Sequence, residues 1–166
     1  MADSSQRPAT AESICGGSGP EADGGLGVEP LIIARPLVPG VAEGEVLVSR
    51  EPLSFWGGYD HRTGEIIDRR HPLSGSLAGG RLLAVPYARG SSTTTAVLLE
   101  AVRAGTAPAA ILTTGLDTFF ALASIVAGEM YSKSFPVAAL DPAAYDRLTP
   151  GMWLRLEEDG TIYLVR

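Results

Sequence analysis

The run Arg89-Gly90-Ser91-Ser92-Thr93-Thr94-Thr95 is where this sequence most readily builds chemistry. It stands between a strand-like apolar stretch, residues 81–86, and the start of a helical pattern. Glycine at position 90 permits a tight turn with close backbone approach. The first amides of a helix have no intrahelical acceptor, and they carry the positive end of the helix dipole. Such a terminus receives an anion, whether a phosphate, a carboxylate or a developing oxyanion. The hydroxyls of Ser91 and Ser92 sit in that field. A serine there serves as a helix cap, an anion ligand or an alkoxide-type base. A serine-hydrolase reading fares poorly, because the Gly-x-Ser-x-Gly elbow is absent.

The second feature is the segment Leu53-Ser54-Phe55-Trp56-Gly57-Gly58-Tyr59-Asp60, continuing to Gly64-Glu65-Ile66-Ile67-Asp68-Arg69-Arg70-His71-Pro72-Leu73. A loop this long inside a compact domain is functional or disordered, and its aromatic residues speak against disorder. Phe55 and Trp56 followed by two glycines make an apolar wall, expected to be partly exposed as a docking surface. Asp60, Asp68 and His71 are of metal-ligand type, but no ligand spacing supports a metal site. The plainer alternatives are core packing for the aromatics and a loop-fixing hydrogen bond for Asp68 and His71.

The surrounding pattern supplies the elements that must hold these residues. Residues 31–35 and 45–48 read as strands, the second after the Pro39-Gly40 turn. Residues 81–86 form a buried-type strand. A helix is expected over residues 93–104, with Ala96, Leu99 and Val102 on its apolar face and Gly105 as its stop. A strand at 109–112, a helix at 117–127 and a strand at 135–138 repeat the unit, which is the pattern of parallel crossovers. Asp141-Pro142 opens a third helix. The chain ends in a hairpin, 153–156 and 161–164, around Asp159-Gly160. The fold class is α/β, with a parallel core sheet and added antiparallel strands.

The bulk properties narrow the function. The chain has 166 residues, enough for one domain, and an apolar share of 45% that supports a core. Residues 1–29 are rich in Gly, Ser, Ala and acid, and read as a flexible tail before a globular domain at 30–166. The net charge of -6 disfavours nucleic acid as a partner. No apolar run reaches the ~20 residues of a membrane span. No basic and apolar leader is read, so a cytoplasmic location is expected. Cys15 is the only cysteine, and one thiol builds neither a disulfide nor an iron–sulfur site. Any cluster must therefore come from another chain.

Taken in order, these motifs resemble the swivel domain of the aconitase X family. The resemblance runs through Leu-Ser-Phe-Trp-Gly-Gly, Asp, Thr-Gly, Ile-Asp and His-Pro, then the Gly-Ser-Ser turn at a helix start. It covers roughly residues 31–138. It implies a three-layer β/β/α swivelling fold and a hydro-lyase whose large subunit holds an iron–sulfur cluster. Family members dehydrate cis-3-hydroxy-L-proline or mevalonate 5-phosphate. The arginine-rich usage, with Lys133 the only lysine, fits a GC-rich bacterial genome and puts cis-3-hydroxy-L-proline first. A non-catalytic ligand-binding or stabilising swivel module is the alternative of another class. In the wider superfamily a Gly-Ser-Ser-Arg motif supplies the base from its first serine, which carries over to Ser91. Gly90, Ser92, Thr93, Ser54, Asp68 and His71 are the candidate substrate contacts. Thr93 stands where the superfamily has its arginine, so a substrate carboxylate is expected to find that contact on the large subunit.

Overall fold

The computed structural model describes residues 29–166. The tail expected over 1–29, Cys15 included, falls outside the described residues except for Glu29. In chain order the strands are β1 (Ile32–Ile33), β2 (Arg35–Val38), β3 (Ala42–Val48), β4 (Tyr59–Asp60), β5 (Glu65–Ile66), β6 (Leu82–Ala84), β7 (Ala110–Thr113), β8 (Val137–Ala139), β9 (Trp153–Leu156) and β10 (Thr161–Leu164). The helices are α1 (Thr93–Ala104), α2 (Thr118–Tyr131) and α3 (Pro142–Asp146).

Eight strands form one sheet in the order β1-β10-β9-β3-β6-β7-β8-β2, and β4 and β5 pair apart from it. The pairs β3–β6, β6–β7 and β7–β8 are parallel, and the outer pairs are antiparallel. Helices α1 and α2 make the two crossovers between β6, β7 and β8, as the sequence pattern requires.

The parallel strands are apolar on both faces because they lie between two cores. Val46, Val48, Leu82, Ala84, Ala110 and Leu112 face one cluster with Leu154, Leu156 and Ile162 of the terminal hairpin. Their neighbours Leu47, Leu83 and Ile111 face the other, with Val97, Leu98 and Phe120 of the helices. Alternation along each strand thus sorts residues into β/β and β/α layers. This is the three-layer swivelling arrangement.

Three local expectations change. Residues 31–35 are not one strand. The chain breaks at Ala34, and its halves pair at opposite edges, β1 with β10 and β2 with β8. One continuous stretch therefore closes the sheet into a barrel-like form. The Ala34 amide donates to the Gly160 carbonyl at 2.9 Å. A Cβ on Gly160 would collide with the Ala34 carbonyl oxygen, so glycine is what lets the β9–β10 turn reach the break. On α1 the buried face is Thr94, Thr95, Val97, Leu98, Ala101 and Val102, whereas Ala96 is exposed and Leu99 half-buried. Finally, Phe55 is not part of an exposed wall. Its ring is fully buried, 5.4 Å from Phe120 and 5.2 Å from Tyr59 between centroids. Only Trp56 is exposed, at 72%. The loop is thereby pinned from inside, and Phe55→Ala would cost about 3–5 kcal/mol.

Candidate active site

The Gly90 turn follows β6 and delivers the chain into α1. Leu53 bridges Ala88, and the Arg89 amide donates to the Leu53 carbonyl at 2.8 Å. The Ala88 amide donates to Asp117 Oδ2 at 2.7 Å. The same carboxylate caps α2, its Oδ1 accepting from Phe119 and Phe120. Asp117 is thus a buried strut between the Gly90 turn and the second helix. Gly90 has φ 141, a conformation that L side chains rarely adopt.

Ser91, Ser92 and Thr93 are all exposed at the head of α1. Ser92 occupies the N-cap position in a helical conformation and makes no side-chain cap bond. The Ser91 hydroxyl meets only Thr93 Oγ1, at 3.4 Å. The cap reading of these serines therefore fails here, although Asp117 and Asp141 cap α2 and α3. Among the described residues the Ser92 and Thr93 amides have no protein acceptor, and no acidic residue stands in the first turn. The terminus keeps both its hydroxyls and its positive dipole end available. Beneath it, Thr94 Oγ1 is the one buried side-chain N or O atom without a partner among the described residues. It faces Gly90, where an added Cβ would meet it at 3.6 Å.

The loop supplies the neighbouring wall. A cleft of about 260 Å³ is lined by Glu51, Pro52, Asp68, Arg70, His71 and Arg89. The structure thus brings Asp68 and His71 to one cleft with Arg89, whereas Gly90, Ser91, Ser92 and Thr93 are not among its lining residues. Ser54 is not part of this lining; its hydroxyl donates to the Trp56 carbonyl at 3.2 Å within the loop. A Cβ on Gly58 would collide with the Ser54 carbonyl oxygen, and it would sit 3.4 Å from Asp68 Cβ. Glycine there is what lets the two loop limbs close up. Asp68 Oδ1 accepts from the Arg70 amide at 3.0 Å. His71 is buried, and both its nitrogens are engaged. Its Nδ1 accepts from the Leu73 amide at 3.2 Å, so Nε2 carries the proton and faces Ser49 Oγ and the Glu51 carbonyl, each at 3.3 Å.

Sequence reading gave no role to Glu51, Arg70 or Arg89. Arg89 was legible as the residue before the Gly-Ser turn, and Arg70 as half of the Arg69-Arg70 pair, but their convergence on one cleft is tertiary.

An iron–sulfur cluster finds no ligand set here. Among the described residues there is no group of three or more His, Cys, Asp or Glu side chains able to hold a metal ion. The single thiol, Cys15, lies outside them.

A β/β/α domain that closes its sheet with a split strand is a swivelling domain, and this one presents a serine pair without a side-chain cap bond at a helix head. The chain belongs to the aconitase X family: the model for the aconitase X swivel domain matches residues 31–164. It is 50% identical over 136 residues to the cis-3-hydroxy-L-proline dehydratase of Pseudomonas aeruginosa, covering 82% of this chain and 23% of that protein. It is 31% identical over 133 residues to the phosphomevalonate dehydratase small subunit of Methanosarcina acetivorans, covering 80% and 89%. The crystal structure of Thermococcus kodakaraensis aconitase X in its holo form superposes with a TM-score of 0.72 at 31% identity, covering 81% of this chain and 98% of that one. The chain spans under a quarter of the first two dehydratases it matches, 23% and 22% of their lengths.

Proposed function

We propose that this chain is the small, swivel-domain subunit of an aconitase X-type hydro-lyase that dehydrates cis-3-hydroxy-L-proline. Its working place is the cytoplasm, beside a separate large subunit that carries the iron–sulfur cluster. The 50% identity to a cis-3-hydroxy-L-proline dehydratase supports this substrate over mevalonate 5-phosphate. The observation that carries the chemistry is the free Ser91 hydroxyl on an uncapped helix terminus.

In this reading Ser91 removes the proton from the carbon that bears the carboxylate. The electron pair of the broken C–H bond becomes the new double bond, the hydroxyl on the next ring carbon leaves as hydroxide, and the proton held by Ser91 passes to it to give water. The α1 terminus stabilises the serine oxygen as it loses its own proton. Thr93 Oγ1 and the free amides of Ser92 and Thr93 orient the oxygen. A cluster held by the large subunit would supply Lewis-acid chemistry for the departing hydroxyl. Trp56, Tyr87 and Leu116 are exposed and suit a docking surface for the large subunit.

The test is co-expression with the large subunit, followed by assays on cis-3-hydroxy-L-proline and mevalonate 5-phosphate. Turnover of the proline, absent from the isolated chain, is expected. Turnover of the phosphate alone would replace the substrate assignment. A chain that binds ligand but confers no activity on any large subunit would support the non-catalytic module instead.

A further inference from the structure

The geometry points to a charge-reading cleft in which Arg89 and Arg70 take the substrate's carboxylate and Glu51 and Asp68 take its ring ammonium. This rests on the functional reading above and extends it to how the small subunit itself selects a zwitterion.

Two arginines, Arg70 and Arg89, and two acids, Glu51 and Asp68, line one cleft. None of the four forms an ion pair among the described residues, whereas Arg50, Arg81, Arg103 and Arg155 each pair with an acid. Opposite charges gathered on one concave surface and left unpaired are arranged for a ligand that carries both signs. Their formal charges cancel, so the cleft as a whole attracts neither a cation nor an anion. A phosphate would meet Glu51 and Asp68 as well as the arginines. A cyclic amino acid matches both pairs at once, with Pro52 offering an apolar edge to its ring.

The supports are built for this. Asp68 is oriented by the Arg70 amide on Oδ1, and among the described residues its Oδ2 has no hydrogen-bond partner. His71 has both nitrogens bonded inside the protein and holds the floor. Arg89 is fixed at its backbone by Leu53 and, one residue earlier, by Asp117. It stands two residues before Ser91. The guanidinium contact that the superfamily places after its serines arises here from before the glycine. A planar guanidinium gives a carboxylate two parallel hydrogen bonds, which a lysine does not.

The experiment uses the co-purified two-subunit enzyme, with L-proline, L-prolinamide and N-acetyl-L-proline as competitive probes. The wild type should bind L-proline best, since each analogue lacks one charge. Arg89→Gln and Arg70→Gln should raise KM for cis-3-hydroxy-L-proline about tenfold or more while kcat changes little. They should weaken L-proline toward prolinamide and leave prolinamide itself unchanged. Asp68→Asn and Glu51→Gln should do the converse, erasing the preference for L-proline over its N-acetyl form. Arg89→Lys should restore only part of the affinity. Glu51, Arg70 and Arg89 are exposed and Asp68 is half-buried, so the variants should fold. Unchanged KM values, or equal weakening of all three probes, would overturn the cleft assignment while leaving the dehydratase reading intact. A wild-type enzyme that turns over mevalonate 5-phosphate and ignores the proline would overturn both.

Discussion

His71 Nε2 lies 3.3 Å from Ser49 Oγ, so the floor of the cleft is fastened to the end of β3. Ser49 is in turn held from the other side, because the Tyr145 hydroxyl donates to its carbonyl at 2.7 Å. Arg50 completes the clamp by donating to the carbonyls of Tyr145, Asp146 and Leu148. His71 has protein partners at both ring nitrogens, and we expect it to hold the loop in place. His71→Ala leaves Ser49 Oγ and the Leu73 amide without this partner. The expected cost is about 1–3 kcal/mol, seen as a fall of roughly 2–8 °C in the melting temperature, with turnover falling as the cleft loosens. An unchanged melting temperature beside lost turnover would make His71 a direct substrate contact instead.

Ser91 and Asp117 should separate cleanly in the same pair of measurements. Ser91→Ala removes no cap bond, so its melting temperature should match the wild type. Loss of a general base should lower turnover of the complex by about 10²–10⁴. Asp117→Ala removes the α2 cap and the Ala88 strut together, and should cost about 1–3 kcal/mol of stability. A stable Ser91→Ala complex with near-normal turnover would remove Ser91 as the base. If Ser92→Ala were the stable but inactive variant, the turn would be right and the serine wrong.

Thr94 invites a stability gain. Its buried Oγ1 has no partner, and an unpaired buried hydroxyl costs about 1–3 kcal/mol. Thr94→Val keeps the shape and the β-branch, so thermal unfolding should shift upward. A loss of stability would show that the hydroxyl is satisfied in solution.

Alkaline pH should unfold the protein through two phenols. Burial raises the pKa of Tyr59 above its usual 10.0, and Asp60 adds to the effect. Burial likewise raises that of Tyr145, with Arg50 opposing and Asp146 adding. Above pH 10 the unfolded chain releases these protons while the folded one keeps them. Their contribution to stability is therefore complete below pH 10 and declines as pH rises toward the folded values. Melting temperature should fall steeply between about pH 10 and 11.5. Tyr59→Phe and Tyr145→Phe should each flatten that slope, from a lower starting stability because the bonds to Thr106 and Ser49 are lost. A slope unaffected by both variants would place the alkaline transition elsewhere.

The composition of residues 1–29 predicts that they are dispensable. A chain beginning at Pro30 should keep its melting temperature and assemble into an active complex without Cys15. Failed assembly on deletion would make the segment an interface arm.

Much of the framework was present in local pattern. The strand–helix–strand repeats, the bounds of α1, the Asp141-Pro142 start of α3 and the terminal hairpin follow from apolar periodicity, caps and turn residues, which act over a few neighbours. The Gly90-Ser91-Ser92 turn was visible for the same reason. What sequence could not decide is set by contacts between distant segments. Ala34 breaks a strand because Gly160 comes close enough to bond it. Phe55 turns inward while Trp56 stays out because Phe120 and Tyr59 make an aromatic pocket for one ring only. The serines are free because α1 begins with helical geometry at Ser92, which periodicity does not report. Arg70 and Arg89, nineteen positions apart, share a cleft because the loop folds back on the turn. Local sequence determines which residues can do chemistry; only the packing of the long loop against the β6–α1 turn determines which of them meet.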